Sequence, residues 1–230
     1  MENSTFTNTK MNLKLPGLIV CGTDTDVGKT VASAFLLQGL KATYWKPIQS
    51  GIEDGGDRGR VAKIVDLPKE HFLPEAYVFN AAVSPHWAAE KENRIVSHEN
   101  LNLPQINNFL ILETAGGLLV PLNRNLLQID QVKIWSLPVV LVCRSGLGTL
   151  NHTLLSIEAL KKRRISILGL IINGPEHLDN PKTIVAFSNI PIICKLPYFE
   201  KLNAYSLREE WNKQKLDKVF IKLFENFSSP

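Results

Sequence analysis

Leu18-Ile19-Val20-Cys21, then Gly22-Thr23-Asp24-Thr25-Asp26-Val27-Gly28-Lys29-Thr30, then Val31-Ala32-Ser33-Ala34-Phe35-Leu36-Leu37 is an apolar run, a polar loop and a helix-forming run in direct succession. A loop between strand and helix presents backbone N–H groups and a helix N-terminus to the same point, and both favour an anion. Gly28 lets backbone approach phosphate without a Cβ, Lys29 reaches the β- and γ-phosphates, and the Thr30 hydroxyl ligates Mg²⁺. Thr25, Asp26 and Val27 complete the expected nucleotide cradle. Gly22 stands one residue further from Gly28 than the GxxxxGK[ST] spacing requires. The plainer alternative, a helix cap with Gly28 as a turn residue, leaves Lys29 without a task.

The same kind of apolar run recurs along the chain at Ala42–Trp45, Phe109–Leu112, Val139–Cys143, Ile167–Ile172 and Ile190–Cys194. Most are apolar at consecutive positions, as expected of strands covered on both faces. Helical spacing over Thr30–Leu40, Thr149–Lys162 and Lys213–Phe227 supplies the covers, the last with Leu216, Val219, Phe220, Leu223 and Phe227 on one side. The pattern predicts an α/β fold of the P-loop NTPase type, a single domain over residues 17–230 with a mostly parallel β-sheet flanked by helices on both faces. Ligands of such sheets gather at the carboxyl ends of the strands. Residues 1–16, polar and rich in Asn and Thr, are expected to form a flexible leader. Gly51–Pro104 is the least regular stretch, long enough to be functional or to hold short helices.

Bulk properties exclude several classes. A formal charge of +4 on 230 residues, with Lys161-Lys162-Arg163-Arg164 as the longest basic run, gives no nucleic-acid footprint. Those four cations suit the end of a helix. No stretch has the roughly 18 continuous apolar residues of a membrane span. Cys21, Cys143 and Cys194 sit in or beside apolar runs without metal-ligand spacing, and point to core thiols in a reducing cytoplasm.

Two further groups carry chemistry. Glu113 follows the run Phe109–Leu112 and precedes Ala115-Gly116-Gly117, so a carboxylate stands at a strand end beside a flexible turn. Nucleotide-bound Mg²⁺ takes one or two protein carboxylates, and Asp57 is the second candidate, with Glu53 and Asp54 competing nearby. Lys46, followed by Pro47, ends the second strand at the same sheet edge as Lys29. A second lysine there stabilises charge on a transferring phosphoryl group; alone, a lysine at a strand end is more often solvated.

Taken in order, GTDTDVGKT, Lys46-Pro47 with Ser50-Gly51, Ser84-Pro85-His86, Glu113-Thr114-Ala115-Gly116-Gly117 with Pro121-Leu122, Gly148-Thr149-Leu150-Asn151-His152 and Gly169-Leu170-Ile171-Ile172-Asn173 resemble the dethiobiotin synthase family. The resemblance implies an ATP- and Mg²⁺-dependent enzyme of biotin biosynthesis in which CO₂ adds to an amine of 7,8-diaminopelargonic acid. The carbamate takes the γ-phosphoryl group, and the neighbouring amine closes a cyclic urea. It implies that Lys29 and Lys46 hold ATP phosphates and the carbamate, that Thr30, Asp57 and Glu113 surround Mg²⁺, and that Gly116, Asn173 and Pro197 border the nucleotide, Asn173 at the adenine edge. Ser50, Ser84 and Pro85 would lie near the diamine. Gly148, Thr149, Leu150 and Asn151 would bind its carboxylate, reaching the site of a partner subunit in a homodimer.

The chain departs from the family at Asp26, where Glu is commoner, at Arg58-Gly59-Arg60, where small or hydroxyl residues are usual, and at Cys194-Lys195. Amidotransferase-type cobyrinate synthases share the architecture but add a glutaminase domain for which 230 residues leave no room. Partition switch ATPases of the ParA/MinD kind carry a lysine early in the loop, where this chain has Thr23 and Asp24.

Overall fold

The computed structural model describes residues 16–227; apart from Pro16, the expected leader lies outside them. Six strands form one sheet: β1 (Gly17–Gly22), β2 (Thr43–Trp45), β5 (Leu110–Gly117), β8 (Val139–Arg144), β9 (Ile167–Asn173) and β10 (Ile192–Leu196). Their order is β10-β9-β8-β1-β5-β2, and each adjacent pair is parallel. Short pairs stand apart: β3 (Ile48–Ser50) beside β4 (Tyr77–Phe79), and β6 (Pro121–Asn123) against β7 (Leu126–Leu127). The helices are α1 (Lys29–Leu40), α2 (Gly56–Ile64), α3 (Pro85–Lys91), α4 (Gln128–Trp135), α5 (Thr149–Lys162), α6 (Asn180–Ser188), α7 (Ala204–Lys213) and α8 (Leu216–Phe227).

The consecutive apolar runs have the cause their pattern predicts. Leu18 and Val20 enter a core on one face with Phe35, Trp211, Phe220 and Phe224. Ile19 and Cys21 enter the opposite core with Leu112, Leu141, Trp135 and Ile157. Each such side chain contributes roughly 1.5–3 kcal/mol by leaving water, so a strand buried on both faces anchors about twice as strongly as a one-sided strand. Aromatic contacts close the first core: Trp211 lies 5.3 Å from Phe35 and stacks on Phe220 at 5.3 Å.

The terminal helix differs from expectation. Over Lys213–Phe227 the chain does not run as one helix: α7 ends at Lys213, Lys215 takes a left-handed φ of 54°, and α8 begins at Leu216. The break lets Gln214 bond both backbone groups of Lys195 at the sheet edge, accepting at 3.2 Å and donating at 2.6 Å. Gly51–Pro104 resolves into short elements, including α2, β4 and α3. Among the described residues no helix is long and apolar enough to cross a membrane.

Candidate active site

The first strand turns into α1 through Gly22–Gly28, and two glycines make that turn possible. A Cβ on Gly22 would sit 2.9 Å from the Asp24 carbonyl oxygen and 2.9 Å from the Lys29 side chain, so the early glycine is needed for the loop to fold back over itself, despite its unusual spacing. Gly28 has a φ of 93°, and a Cβ there would lie 2.0 Å from the amide nitrogen of Asn173. No side chain caps the helix that starts at Lys29, so its first N–H groups have no side-chain acceptor to displace when an anion arrives. The Lys29 ammonium is folded into the loop and donates to the Asp24 carbonyl at 2.7 Å. Burial lowers its pKa below the ordinary lysine range, with Glu113 working in the opposite direction.

Opposite the cradle, β2 and β5 deliver a lysine and a carboxylate to the same point. Lys46, 6% exposed, donates to the fully buried Glu113 Oε1 at 3.2 Å and to Asp57 Oδ2. Thr30, in the first turn of α1, donates within reach of both acids, 3.1 Å from Glu113 Oε1 and 3.2 Å from Asp57 Oδ1. Burial works against the Lys46 ammonium, yet Glu113 and Asp57 outweigh it and its pKa is raised. For Asp57, burial pushes the pKa up, while the Lys46 charge and hydrogen bonds from Lys46 and Thr30 pull it below the usual carboxylate range. Thr30, Asp57 and Glu113 converge as hard oxygen donors, the chemistry Mg²⁺ requires, and Lys46 offsets part of their negative charge.

These groups line a cleft of about 770 Å³ at the carboxyl ends of β1, β2 and β5. Of the residues expected from sequence, the cleft gathers Thr25, Asp26, Gly28, Lys29, Thr30, Lys46, Ser50, Asp57, Ser84, Pro85, Glu113 and Gly116. The Ser50 hydroxyl is buried without a hydrogen-bond partner among the described residues. Val27 is buried in the core beneath the loop.

Other expected residues lie elsewhere. Asn173, at the end of β9, donates to the Val27 carbonyl at 3.0 Å and braces the loop from behind. Pro197 follows β10, whose Leu196 is in register with Asn173. Gly148, Thr149, Leu150 and Asn151 open α5 outside the cleft, where Thr149 donates to the Arg144 carbonyl at 2.6 Å and Leu147 is fully exposed. His86 and His152 are not among the residues that line the cleft.

Sequence reasoning missed several participants. Tyr44 donates to Glu113 Oε2 at 2.9 Å, but in an apolar run it reads as plain core. Gln49 accepts from the Asp57 backbone N–H at 3.1 Å and donates to the Gly51 carbonyl at 2.8 Å, tying the start of α2 to β3. Arg144 donates to the Thr25 carbonyl at 3.2 Å; its position at a strand end was the available signal. Arg60 lines the cleft one turn beyond Asp57.

Comparison with known proteins identifies the family. A family model described as an AAA domain matches residues 16–206. The ATP-dependent dethiobiotin synthetase BioD of Rhodopseudomonas palustris (strain BisB18) is 45% identical over 193 residues, covering 84% of this chain and 92% of that protein. The enzyme of that name from Novosphingobium aromaticivorans is 43% identical over 195 residues, covering 85% and 94%. Among solved structures, a putative plasmid partition protein from Borrelia burgdorferi bound to AMPPNP superposes with a TM-score of 0.56 over 91% of this chain and 99% of that one. At 12% identity that likeness is one of fold. A P-loop fold with the lysine and carboxylate cluster at its rim, and identity of this level over nearly whole chains, place the protein in the ATP-dependent dethiobiotin synthetase family.

Proposed function

We propose that this chain carboxylates 7,8-diaminopelargonic acid with CO₂ and closes the ring to dethiobiotin at the expense of ATP. The carrying observation is that Lys46 stands between Glu113 and Asp57, beside Thr30, in the same cleft as Lys29. The chemistry asked of this site is positioning and charge neutralisation more than covalent work. A carbamate oxygen on the diamine attacks the γ-phosphorus as ADP leaves. The second amine then attacks the carbamoyl carbon, releasing phosphate and leaving a cyclic urea.

In this reading Lys29 exchanges its bond to the Asp24 carbonyl for nucleotide phosphate, and the uncapped first turn of α1 adds backbone N–H donors. Lys46 is drawn from its carboxylates to the oxygens between which the phosphoryl group passes. Thr30, Asp57 and Glu113 hold Mg²⁺, which when bound neutralises phosphate charge. The unpartnered Ser50 hydroxyl, with Ser84 and Pro85, faces the diamine. Gly148–Asn151, which do not line this cleft, serve the cleft of a second copy in a homodimer. Three buried free thiols suit a cytoplasmic protein.

The test is incubation with 7,8-diaminopelargonic acid, labelled bicarbonate, Mg²⁺ and ATP. The expected result is label in a cyclic urea with one ADP per turnover. ATP hydrolysis indifferent to the diamine, with no labelled urea, would overturn the reading in favour of a switch ATPase.

A further inference from the structure

The two oxygens of Glu113 are divided between different partners. Oε1 faces the cleft, 3.1 Å from the Thr30 hydroxyl and 3.2 Å from the Lys46 ammonium. Oε2 accepts from the Tyr44 hydroxyl at 2.9 Å. Both Tyr44 and Glu113 are fully buried, so bulk solvent cannot readily replace that donor. The pair is also held by the backbone: β2 and β5 are neighbouring parallel strands in which Tyr44 is in register with Ile111, two residues before Glu113.

We propose that Tyr44 is a positioning residue that sets the metal preference of the site, by holding Glu113 Oε2 back so that the carboxylate offers a divalent cation a single oxygen. The inference rests on the reading in which Glu113 ligates the metal. Mg²⁺ is small, demands near-octahedral geometry and keeps several waters, whereas the larger Ca²⁺ accepts both oxygens of a carboxylate in flexible, higher coordination. A carboxylate pinned through one oxygen therefore suits Mg²⁺ and denies Ca²⁺ its bidentate mode. Partners behind a metal ligand commonly change metal affinity by about 10- to 100-fold when removed.

The test is calorimetric and needs no turnover: binding of a non-hydrolysable ATP analogue without metal, with Mg²⁺ and with Ca²⁺, in the wild type and in Tyr44→Phe. The expected result is unchanged metal-free binding in the variant, Mg²⁺-dependent binding about tenfold weaker, and a Ca²⁺-to-Mg²⁺ affinity ratio raised by about tenfold or more. An unchanged ratio in the variant would overturn the inference while leaving the proposed function standing. Wild-type binding indifferent to Mg²⁺ would instead remove the underlying metal assignment. Should Phe at position 44 fail to fold, Tyr44→Met fills the space with an adaptable chain that also lacks a donor, and the same ratio decides.

Discussion

Asn173 occupies the space that a side chain on Gly28 would need: its amide nitrogen donates to the Val27 carbonyl at 3.0 Å and would lie 2.0 Å from a Cβ at Gly28. The strand end of β9 and the glycine of the phosphate loop are thus one fitted unit. Gly28→Ala is expected to abolish nucleotide binding, because it meets both this clash and a left-handed φ of 93° that costs an L residue roughly 1–2 kcal/mol. Gly28→Ala with Asn173→Ala relieves the clash but not the φ, and should recover part of the affinity in a calorimetric titration. Equal loss in the single and double variants would contradict the fit.

Lys46 carries a stability prediction with a defined pH window. Asp57 has a pKa below its unfolded value, so its contribution is present above about pH 4 and is lost as pH falls through the lower folded value. The Lys46 pKa is raised, so its contribution is complete below about pH 10 and is lost as pH rises through the higher folded value. Lys46→Met leaves the buried Glu113 without its cation and Asp57 with only the more exposed Arg60 at 3.8 Å, a loss of about 3 kcal/mol. Denaturant titrations should show that deficit flat around neutral to mildly alkaline pH and shrinking on acidification, because carboxylates buried without Lys46 take up protons more readily in the folded variant. A deficit that grows on acidification would refute the pairing.

Metal removal tests the same balance from the other side. Because Lys46 pairs with Glu113 and Asp57, and Arg60 adds a second positive charge 3.8 Å from Asp57, EDTA should leave the melting temperature of the nucleotide-free protein unchanged. Mg²⁺ should raise it only when nucleotide is also present, by mass action on the folded state. A marked drop with EDTA alone would show that the carboxylates depend on a resident cation.

The three thiols should be silent in the folded state. Burial pushes Cys21 up to about 12 and Cys143 up to about 11, and raises Cys194 as well. A thiol reagent at neutral pH is expected to modify the cysteines after unfolding and negligibly before it. Rapid modification of the native protein would contradict the assigned burial.

Much of this architecture is legible in the sequence, for identifiable reasons. Runs such as Leu18–Cys21 and Val139–Cys143 announce central strands because both their faces meet helices. Lys29, Thr30 and Glu113 were legible because a strand end or helix start fixes where a side chain can act. Tyr44 was not, since its hydroxyl acquires meaning only when β2 lies beside β5, 69 residues apart from Glu113 in the chain. Asp57 could be told from Glu53 and Asp54 only once α2 aimed it at Lys46. Asn173 stands at a strand end, as its sequence position implies, but its bond to the Val27 carbonyl was not legible, because periodicity places a strand and not the partner of its last side chain. The break at Gln214 and Lys215 depends on a contact with a distant edge strand that helical spacing does not register.

The most direct test of the phosphoryl-transfer account follows one oxygen atom. With CO₂ labelled by oxygen-18, ATP, Mg²⁺ and the diamine, sampled before exchange with water, a carbamate oxygen that attacks phosphorus leaves with it when the ring closes. The account predicts one labelled oxygen in each phosphate released, read by mass spectrometry. Phosphate without label, formed alongside cyclic urea, would show that no carbamic-phosphoric anhydride forms in the cleft between Lys29 and Lys46.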